Sequence, residues 1–294
     1  MRIGARGSDL AQVQARMIEA MLNQAGIATT MVVISTHGDR VLDVPLSQLG
    51  TQGVFTKEIE DALLGNQIDL AVHSFKDVAS IQPDGLEIVA VTEREDSADL
   101  LIIAPEKFLD NGEFLPVSPN SVVGTSAVRR SSQIKAIRPD LEVRDLRGNV
   151  PTRLEKLYQG KYDAIFLASA GVNRLRIDMP GYRVIRLDPS KFVPSPGQGA
   201  LAIEMRSDDP FVSRVRECLH HEPTNQATSI ERALLKRFGG GCSLPLGASV
   251  QVQDGNWTLR AFWGGGSNPR WTTQTGVHGV ELVENAFNAL SASE

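Results

Sequence analysis

Cysteine is scarce: the chain has two, Cys218 and Cys242, among 294 residues. Two cannot build a disulfide framework, so a reducing compartment is expected. Long apolar runs are also missing. None reaches the ~18 residues of a membrane-spanning helix. The first residues, Met1-Arg2-Ile3-Gly4-Ala5-Arg6, lack the apolar core of a secretory signal. These absences point to a soluble, cytoplasmic protein with no membrane partner. Aromatics are thin, at 5% with three Trp and three Tyr, which leaves few platforms for stacking nucleobases. Positive charge is in deficit, with 30 Lys plus Arg against 35 Asp plus Glu and a net charge of −5. That balance argues against a general binder of nucleic acid or anionic membranes.

Hydrophobic residues at 41% and charged residues at 22% are ordinary globular usage, and the length suits two or three domains. The basic residues are uneven, however. Only 8 are Lys, and between Gly124 and Arg153 seven (Arg129, Arg130, Lys135, Arg138, Arg144, Arg147 and Arg153) stand against Asp140, Glu142 and Asp145. This is a +4 stretch inside a −9 surround. Arginine's planar fork suits bidentate capture of carboxylate or phosphate, whereas a solvated helix face usually mixes Lys with Glu.

Apolar periodicity alternates strand and helix for most of the length. Strands are expected at 2–5, 30–35, 68–73, 86–91, 100–103, 122–124, 141–146 and 164–168, with helices at 9–24, 56–64, 127–138 and 150–158. Such alternation predicts open, largely parallel α/β sheets. The last stretch differs. Helices at 210–220 and 225–238 lead through Gly239-Gly240-Gly241 to three β-like runs at 248–253, 257–263 and 271–277. Val280, Val283, Ala286, Phe287 and Leu290 then fall on one helical stripe, expected to be core. That is an α+β unit of about 75 residues.

Two βα turns carry the most chemistry. In Gly124-Thr125-Ser126-Ala127-Val128-Arg129-Arg130, a strand ends in hydroxyl residues before a helix with two arginines in its first turn. In Arg147-Gly148-Asn149-Val150-Pro151-Thr152-Arg153, Gly148 permits a tight turn and Pro151 suits a first helical turn flanked by arginines. Free N–H groups, hydroxyls and guanidinium groups together make anion sites. One such turn reads as a simple cap; two in succession favour a polyanionic ligand. His73-Ser74-Phe75-Lys76-Asp77 places polar groups just beyond a buried strand, where open sheets bind ligands. It is too local for a Ser–His–Asp triad. Asp77 is either an ion-pair partner of Lys76 or a carboxylate that stabilises cations and moves protons. Gly197-Gln198-Gly199-Ala200-Leu201-Ala202 matches a dinucleotide fingerprint in letters, but Pro194 and Pro196 precede it and a strand-like run follows, so a crossover or hinge segment is expected instead. Cys218, on a helix, reads as packed. Cys242, after three glycines, is either an inert loop thiol or an accessible nucleophile. No metal-ligand spacing occurs.

Taken together, these blocks resemble the porphobilinogen deaminase (hydroxymethylbilane synthase) family of tetrapyrrole biosynthesis. The resemblance is carried by Arg6-Gly7-Ser8 with Leu10-Ala11 and Gln14, by Gly53-Val54-Phe55-Thr56-Lys57-Glu58 and by His73-Ser74-Phe75-Lys76-Asp77-Val78. It continues through Gly124-Thr125-Ser126 with Arg129-Arg130, Arg147-Gly148-Asn149 with Thr152-Arg153, Gly197-Gln198-Gly199-Ala200 and Gly240-Gly241-Cys242, all in the family's order. It implies two lobes like those of periplasmic binding proteins, with open mixed sheets, plus a smaller C-terminal α+β domain. The implied division is 1–93 with 193–215, then 94–192, then 216–294. It further implies a transferase that condenses four porphobilinogen molecules, with loss of ammonia, onto a dipyrromethane held by a thioether at Cys242, and then releases hydroxymethylbilane. Asp77 matches the catalytic carboxylate. Arg6, Ser8, Ser74, Lys76, Thr125, Ser126, Arg129, Arg130, Arg147, Gly148, Arg153, Arg174 and Gln198 match positions that bind pyrrole side chains. Gln48, Gln52 and Phe55 fall in a mobile loop, where family members commonly carry lysines at the two Gln positions. The family precedent is a monomer with no metal or nucleic acid. The rival readings are a non-catalytic carboxylate-binding module on the same fold and a nucleic-acid binder using the 124–153 stretch.

Overall fold

In the computed structural model the chain is described over residues 1–36, 56–241, 244–253, 255–266 and 268–292. These residues form two compact units, Met1–Glu95 with Gly197–Cys242 and Asp96–Pro196 with Ser243–Glu294. From residue 216 onward, the first two helices group with the first unit, and the three strands and the last helix with the second.

In the first unit β1 (Arg2–Arg6) leads to α1 (Asp9–Gln24), whose N-terminus is capped by the Ser8 hydroxyl on the Ala11 N–H. Ala11, Ala15, Ile18 and Leu22 line its buried face at helical spacing. β2 (Thr30–Ile34), α2 (Lys57–Leu64), β3 (Leu70–Ser74), a 3₁₀ turn at Phe75–Asp77 and β4 (Leu86–Val91) follow. The second unit then begins. It holds β5 (Asp99–Ile103), β6 (Val122–Gly124), α3 (Val128–Ile137), β7 (Glu142–Arg144), α4 (Val150–Tyr158), β8 (Ala164–Ala168), α5 (Ser169–Leu175) and β9 (Arg183–Arg186). The chain returns to the first unit with β10 (Leu201–Arg206), α6 (Val212–Leu219) and α7 (Glu222–Arg237). It ends in the second with β11 (Leu246–Gln253), β12 (Asn256–Trp263), β13 (Arg270–Gly276) and α8 (Gly279–Ser291).

The expected fold class holds, with one correction to the strand directions. The first sheet has the order β2-β1-β3-β10-β4, and the second β7-β6-β8-β5-β9. In each, two neighbouring pairs are parallel and two antiparallel, so the sheets are mixed rather than largely parallel. The antiparallel partners β10 and β5 are the strands by which the chain enters each unit from the other. The central strands are apolar on both faces: in β5, Leu101 and Ile103 enter one core cluster while Leu100 and Ile102 enter another. The third sheet, β11-β12-β13, is antiparallel throughout and packs α8. Leu282, Val283, Ala286 and Leu290 form the buried stripe of α8, but Val280 is 78% exposed. The helix starts at Gly279, so Val280 lies in a first turn outside the packed face. Among the described residues, no helix is long and apolar enough to cross a membrane.

Candidate functional site

In the first unit a cavity of about 80 Å³ opens where β1 and β3 end and α1 begins, lined by Arg6, Ser8, Gln14, His73, Ser74 and Asp77 among others. This is the carboxyl end of two parallel strands, where an open sheet leaves room for ligand. The first N–H groups of α1 lack intrahelical acceptors and add positive potential on the same side. Gln14 is buried and holds Ser74 through a reciprocal pair, Nε2 to Oγ at 3.0 Å and Oγ to Oε1 at 3.3 Å. His73 points to a different partner: its Nε2 lies 3.0 Å from Oε2 of Glu204 on β10, both buried. With Ser74 on Gln14 and His73 on Glu204, no Ser–His nucleophile pair forms. Among the described residues nothing pairs with the Asp77 carboxylate, which stands on the 3₁₀ turn at the cavity wall. Lys76 turns instead to Gln198, with Nζ 3.3 Å from Oε1, so the Lys76–Asp77 ion pair allowed by the sequence is not made.

Gln198 is 1% exposed, and its backbone carbonyl accepts from Arg94 Nε at 2.8 Å. Gly197 and Gly199 both have positive φ, 73° and 93°. A Cβ at Gly199 would collide with the Glu95 carbonyl. The glycines therefore serve the close passage of two backbone segments within the first unit, and a strand rather than a helix follows them, so the dinucleotide fingerprint fails. Cys218 packs partly buried against the first unit's core, as expected.

In the second unit the two βα turns lie beside each other, since they follow β6 and β7, which pair in parallel. Thr125 is buried; its Oγ1 accepts from the Ala127 N–H at 3.2 Å, and Ser126 donates to the Leu146 carbonyl. Arg129 and Arg130 are each 5% exposed and share one buried carboxylate. Asp99 Oδ1 accepts from Arg130 Nη2 at 2.7 Å and Nε at 3.2 Å, while Arg129 Nη2 lies 2.8 Å from Oδ2, an ion contact without an aligned hydrogen bond. The remaining donors reach backbone carbonyls, Arg129 Nη1 to Val193 at 2.7 Å and Arg130 Nη1 to Phe166 at 3.0 Å. Burial lowers the Arg129 pKa from its ordinary value; Asp99 opposes this and Arg130 adds to it. Two buried cations thus share one carboxylate.

Gly148 has φ +115°, and the Asn149 carboxamide caps α4 by accepting from Thr152 N at 2.9 Å and Oγ1 at 2.7 Å. Arg153 Nε donates to the Gly148 carbonyl at 2.7 Å. Among the described residues, the buried Arg147 Nη1 has no hydrogen-bond acceptor. A buried guanidinium nitrogen without an acceptor is costly, and an oxyanion removes that cost. Cys242, Gln48, Gln52 and Phe55 lie outside the described residues. Among the described residues, no group of three or more His, Cys, Asp or Glu could hold a metal ion.

The sequence alone missed Asp99, Glu204 and Glu231. Asp99 had a signal, a lone charge opening the apolar strand Asp99-Leu100-Leu101-Ile102-Ile103. Glu204 had the same one within Leu201-Ala202-Ile203-Glu204-Met205.

Residues 1–214 match the family model "Porphobilinogen deaminase, dipyromethane cofactor binding domain", and 226–265 match "Porphobilinogen deaminase, C-terminal domain". The chain is 45% identical over 263 residues to a porphobilinogen deaminase of Syntrophobacter fumaroxidans, covering 88% of this chain and 82% of that one. To that of Sulfurimonas denitrificans it is 45% identical over 293 residues, covering 99% and 92%. Among solved structures, an ancestral cationic amino acid solute binding protein aligns at 13% identity with a TM-score of 0.45, over 81% of this chain and 90% of that one.

Proposed function

Since the chain belongs to the porphobilinogen deaminase family and is a transferase of tetrapyrrole biosynthesis, we propose that Asp77 is its catalytic carboxylate and Cys242 the attachment point of its dipyrromethane. The observation that carries this reading is Asp77 itself, a carboxylate with no partner among the described residues, on a cavity wall shared with Arg6, Ser8 and Ser74. Each porphobilinogen brings two carboxylates and an aminomethyl group. Arg6, the Ser8 and Ser74 hydroxyls and the start of α1 bind the carboxylates. Lys76, oriented by Gln198, adds charge nearby. Asp77 accepts from the pyrrole N–H and stabilises the positive charge that develops as ammonia leaves.

The second unit's donors fit a multiply anionic, pyrrole-based group. Arg147 Nη1 lacks an acceptor among the described residues, and Arg129 with Arg130 exceeds Asp99 by one charge. Arg147, Arg153 and Arg174 would hold its carboxylates, with Thr125, Ser126 and the Gly148 turn shaping the cradle. When bound, the dipyrromethane supplies the free pyrrole α-carbon from which the product chain grows. The domain division 1–93 with 193–215, 94–192 and 216–294 belongs to the same reading, as do a monomeric state and a cytoplasmic setting without nucleic acid or membrane. Gln48 and Gln52 then grip the growing chain more weakly than lysines would. Nothing favours the non-catalytic binding module.

The test uses two variants. Asp77→Ala folds and binds porphobilinogen but does not turn it over; turnover near that of the parent protein refutes the assignment. Intact-mass measurement shows a covalent adduct that is absent from Cys242→Ala, and an unmodified, active parent protein removes Cys242 from its role.

A further inference from the structure

The 3₁₀ turn that carries Asp77 is three residues long, and its closing backbone bond, from Val78 N–H to the Phe75 carbonyl, is a long 3.3 Å. A turn this short does not hold a side chain in place by itself. One guanidinium does. Arg232, on α7, donates through Nη1 to the carbonyls of Phe75 at 3.3 Å and Val78 at 3.0 Å, and through Nη2 to that of Ala79 at 2.5 Å. Its Cζ also lies 4.4 Å from the centroid of the Phe75 ring. Carbonyls on both sides of Asp77 therefore converge on one rigid, planar cation.

The neighbouring residue fixes the helix. Glu231 is fully buried, accepts from Arg94 Nη1 at 2.7 Å and Nη2 at 3.0 Å, and takes the Gly197 N–H at 2.8 Å. Its partners bind from two segments distant in sequence, so α7 cannot rotate or slide without breaking them. α7 then leads to Gly239, Gly240 and Gly241, with φ of 97°, 69° and 114°, immediately before Cys242 in sequence. The Ser80 hydroxyl, buried just after the Arg232-bound carbonyls and without a partner among the described residues, would lie 3.1 Å from a Cβ on Gly240. Ser80, just past the Asp77 turn, thus approaches Gly240, and both segments are tied to α7.

We propose that Arg232 is a positioning residue for this reaction: it fixes the Asp77 turn against the helix that leads to Cys242, and so sets where the carboxylate stands during chemistry. The proposal rests on the roles assigned above to Asp77 and Cys242. A misplacement on the order of 1 Å at a reacting centre costs about 100-fold in rate, so loss of three anchoring hydrogen bonds is a kcat effect.

The experiment compares Arg232→Lys and Arg232→Gln with Asp77→Asn, each quantified for covalent adduct by intact mass. Lysine keeps the charge but not the fork. Expected for both Arg232 variants is kcat per loaded molecule lower by about 10- to 100-fold, with KM within about threefold. Hydrogen exchange then speeds up at the amides of 75–80 while the sheet amides keep their protection. Turnover per loaded molecule near the parent value with Asp77→Asn inactive overturns the proposal and leaves the Asp77 reading intact. So does a rise in KM alone, or a loss confined to folding or loading in both variants. If Asp77→Asn also turns over normally, the Asp77 reading falls and takes the proposal with it.

Discussion

Replacing Asp99 by Asn tests whether the paired arginines of the second unit depend on one carboxylate. The side chain is 0% exposed, and Arg129 and Arg130 around it are 5% exposed. Asparagine is almost the same shape, so no cavity forms. It offers one acceptor where the carboxylate offers two, and turns an NH₂ donor toward a guanidinium that has only donors. Arginine cannot lose its proton to relieve the strain, so two buried cations are left without a counter-charge. Removing one partner of a buried pair costs roughly 3–5 kcal/mol, because what remains is an uncompensated charge. Against a total stability of about 5–15 kcal/mol, that is a large fraction. At roughly 2–4 °C per kcal/mol for a domain of this size, the melting temperature drops by about 6–20 °C. Thermal and urea unfolding followed by far-UV circular dichroism reads the loss. Hydrogen exchange at β5 and α3 assigns it to the second unit, because a chain of two units need not unfold in one step. A loss below about 1 kcal/mol shows that the arginines are balanced elsewhere and refutes the shared-carboxylate account.

Two further outcomes follow from local geometry. In Gly148→Ala the new Cβ lies 2.8 Å from Cβ and Cγ2 of Thr152, which the Asn149 cap holds in place, on a backbone at φ +115°. A strain of about 1–3 kcal/mol is expected, seen as a lower melting temperature with a raised KM for porphobilinogen; an unchanged melting temperature contradicts it. Acid sensitivity follows from Asp69, whose carboxyl sits below its ordinary value of 3.8 because Arg2 hydrogen-bonds to it, against an opposing effect of burial. A lowered folded pKa means the stabilisation is complete above about pH 5 and is lost as pH falls through the folded value. Melting temperatures measured from pH 7 down to pH 3 show Asp69→Asn with a flatter acid limb than the parent, and parallel curves exclude Asp69 as a contributor.

What could be read in advance follows from how local each cause is. Ser8, Asp9 and the apolar spacing of Ala11, Ala15, Ile18 and Leu22 are all within one helix, and α1 has the expected bounds. The same is true of α4, where Asn149 caps and Pro151 opens the first turn. Strand direction is different. β10 and β5 run antiparallel to their neighbours because the chain arrives from the other unit, a fact of long-range connection that no nearby residue encodes. A pattern of strand, helix, strand predicts parallel pairing because the local signal of each strand extends only to the helix next to it.

The basic stretch shows the same limit in charge rather than in backbone. Summed along the sequence, 124–153 is +4, as if its cations faced one partner. In the fold Arg144 lies on Glu142, and Arg138 lies on Asp140 and also on Glu113 from outside the stretch. Asp99, also from outside, sits between Arg129 and Arg130. The charge left for a ligand is therefore not the sum. It includes the one-charge excess at Asp99 and Arg147, whose buried Nη1 has no acceptor among the described residues. A patch that attracted polyanions by total charge would bind nucleic acid and carboxylates alike and weaken steeply with salt. Buried, fixed guanidinium groups select instead by where each oxygen must sit, which suits a ligand whose carboxylates recur at set positions along a chain of pyrroles.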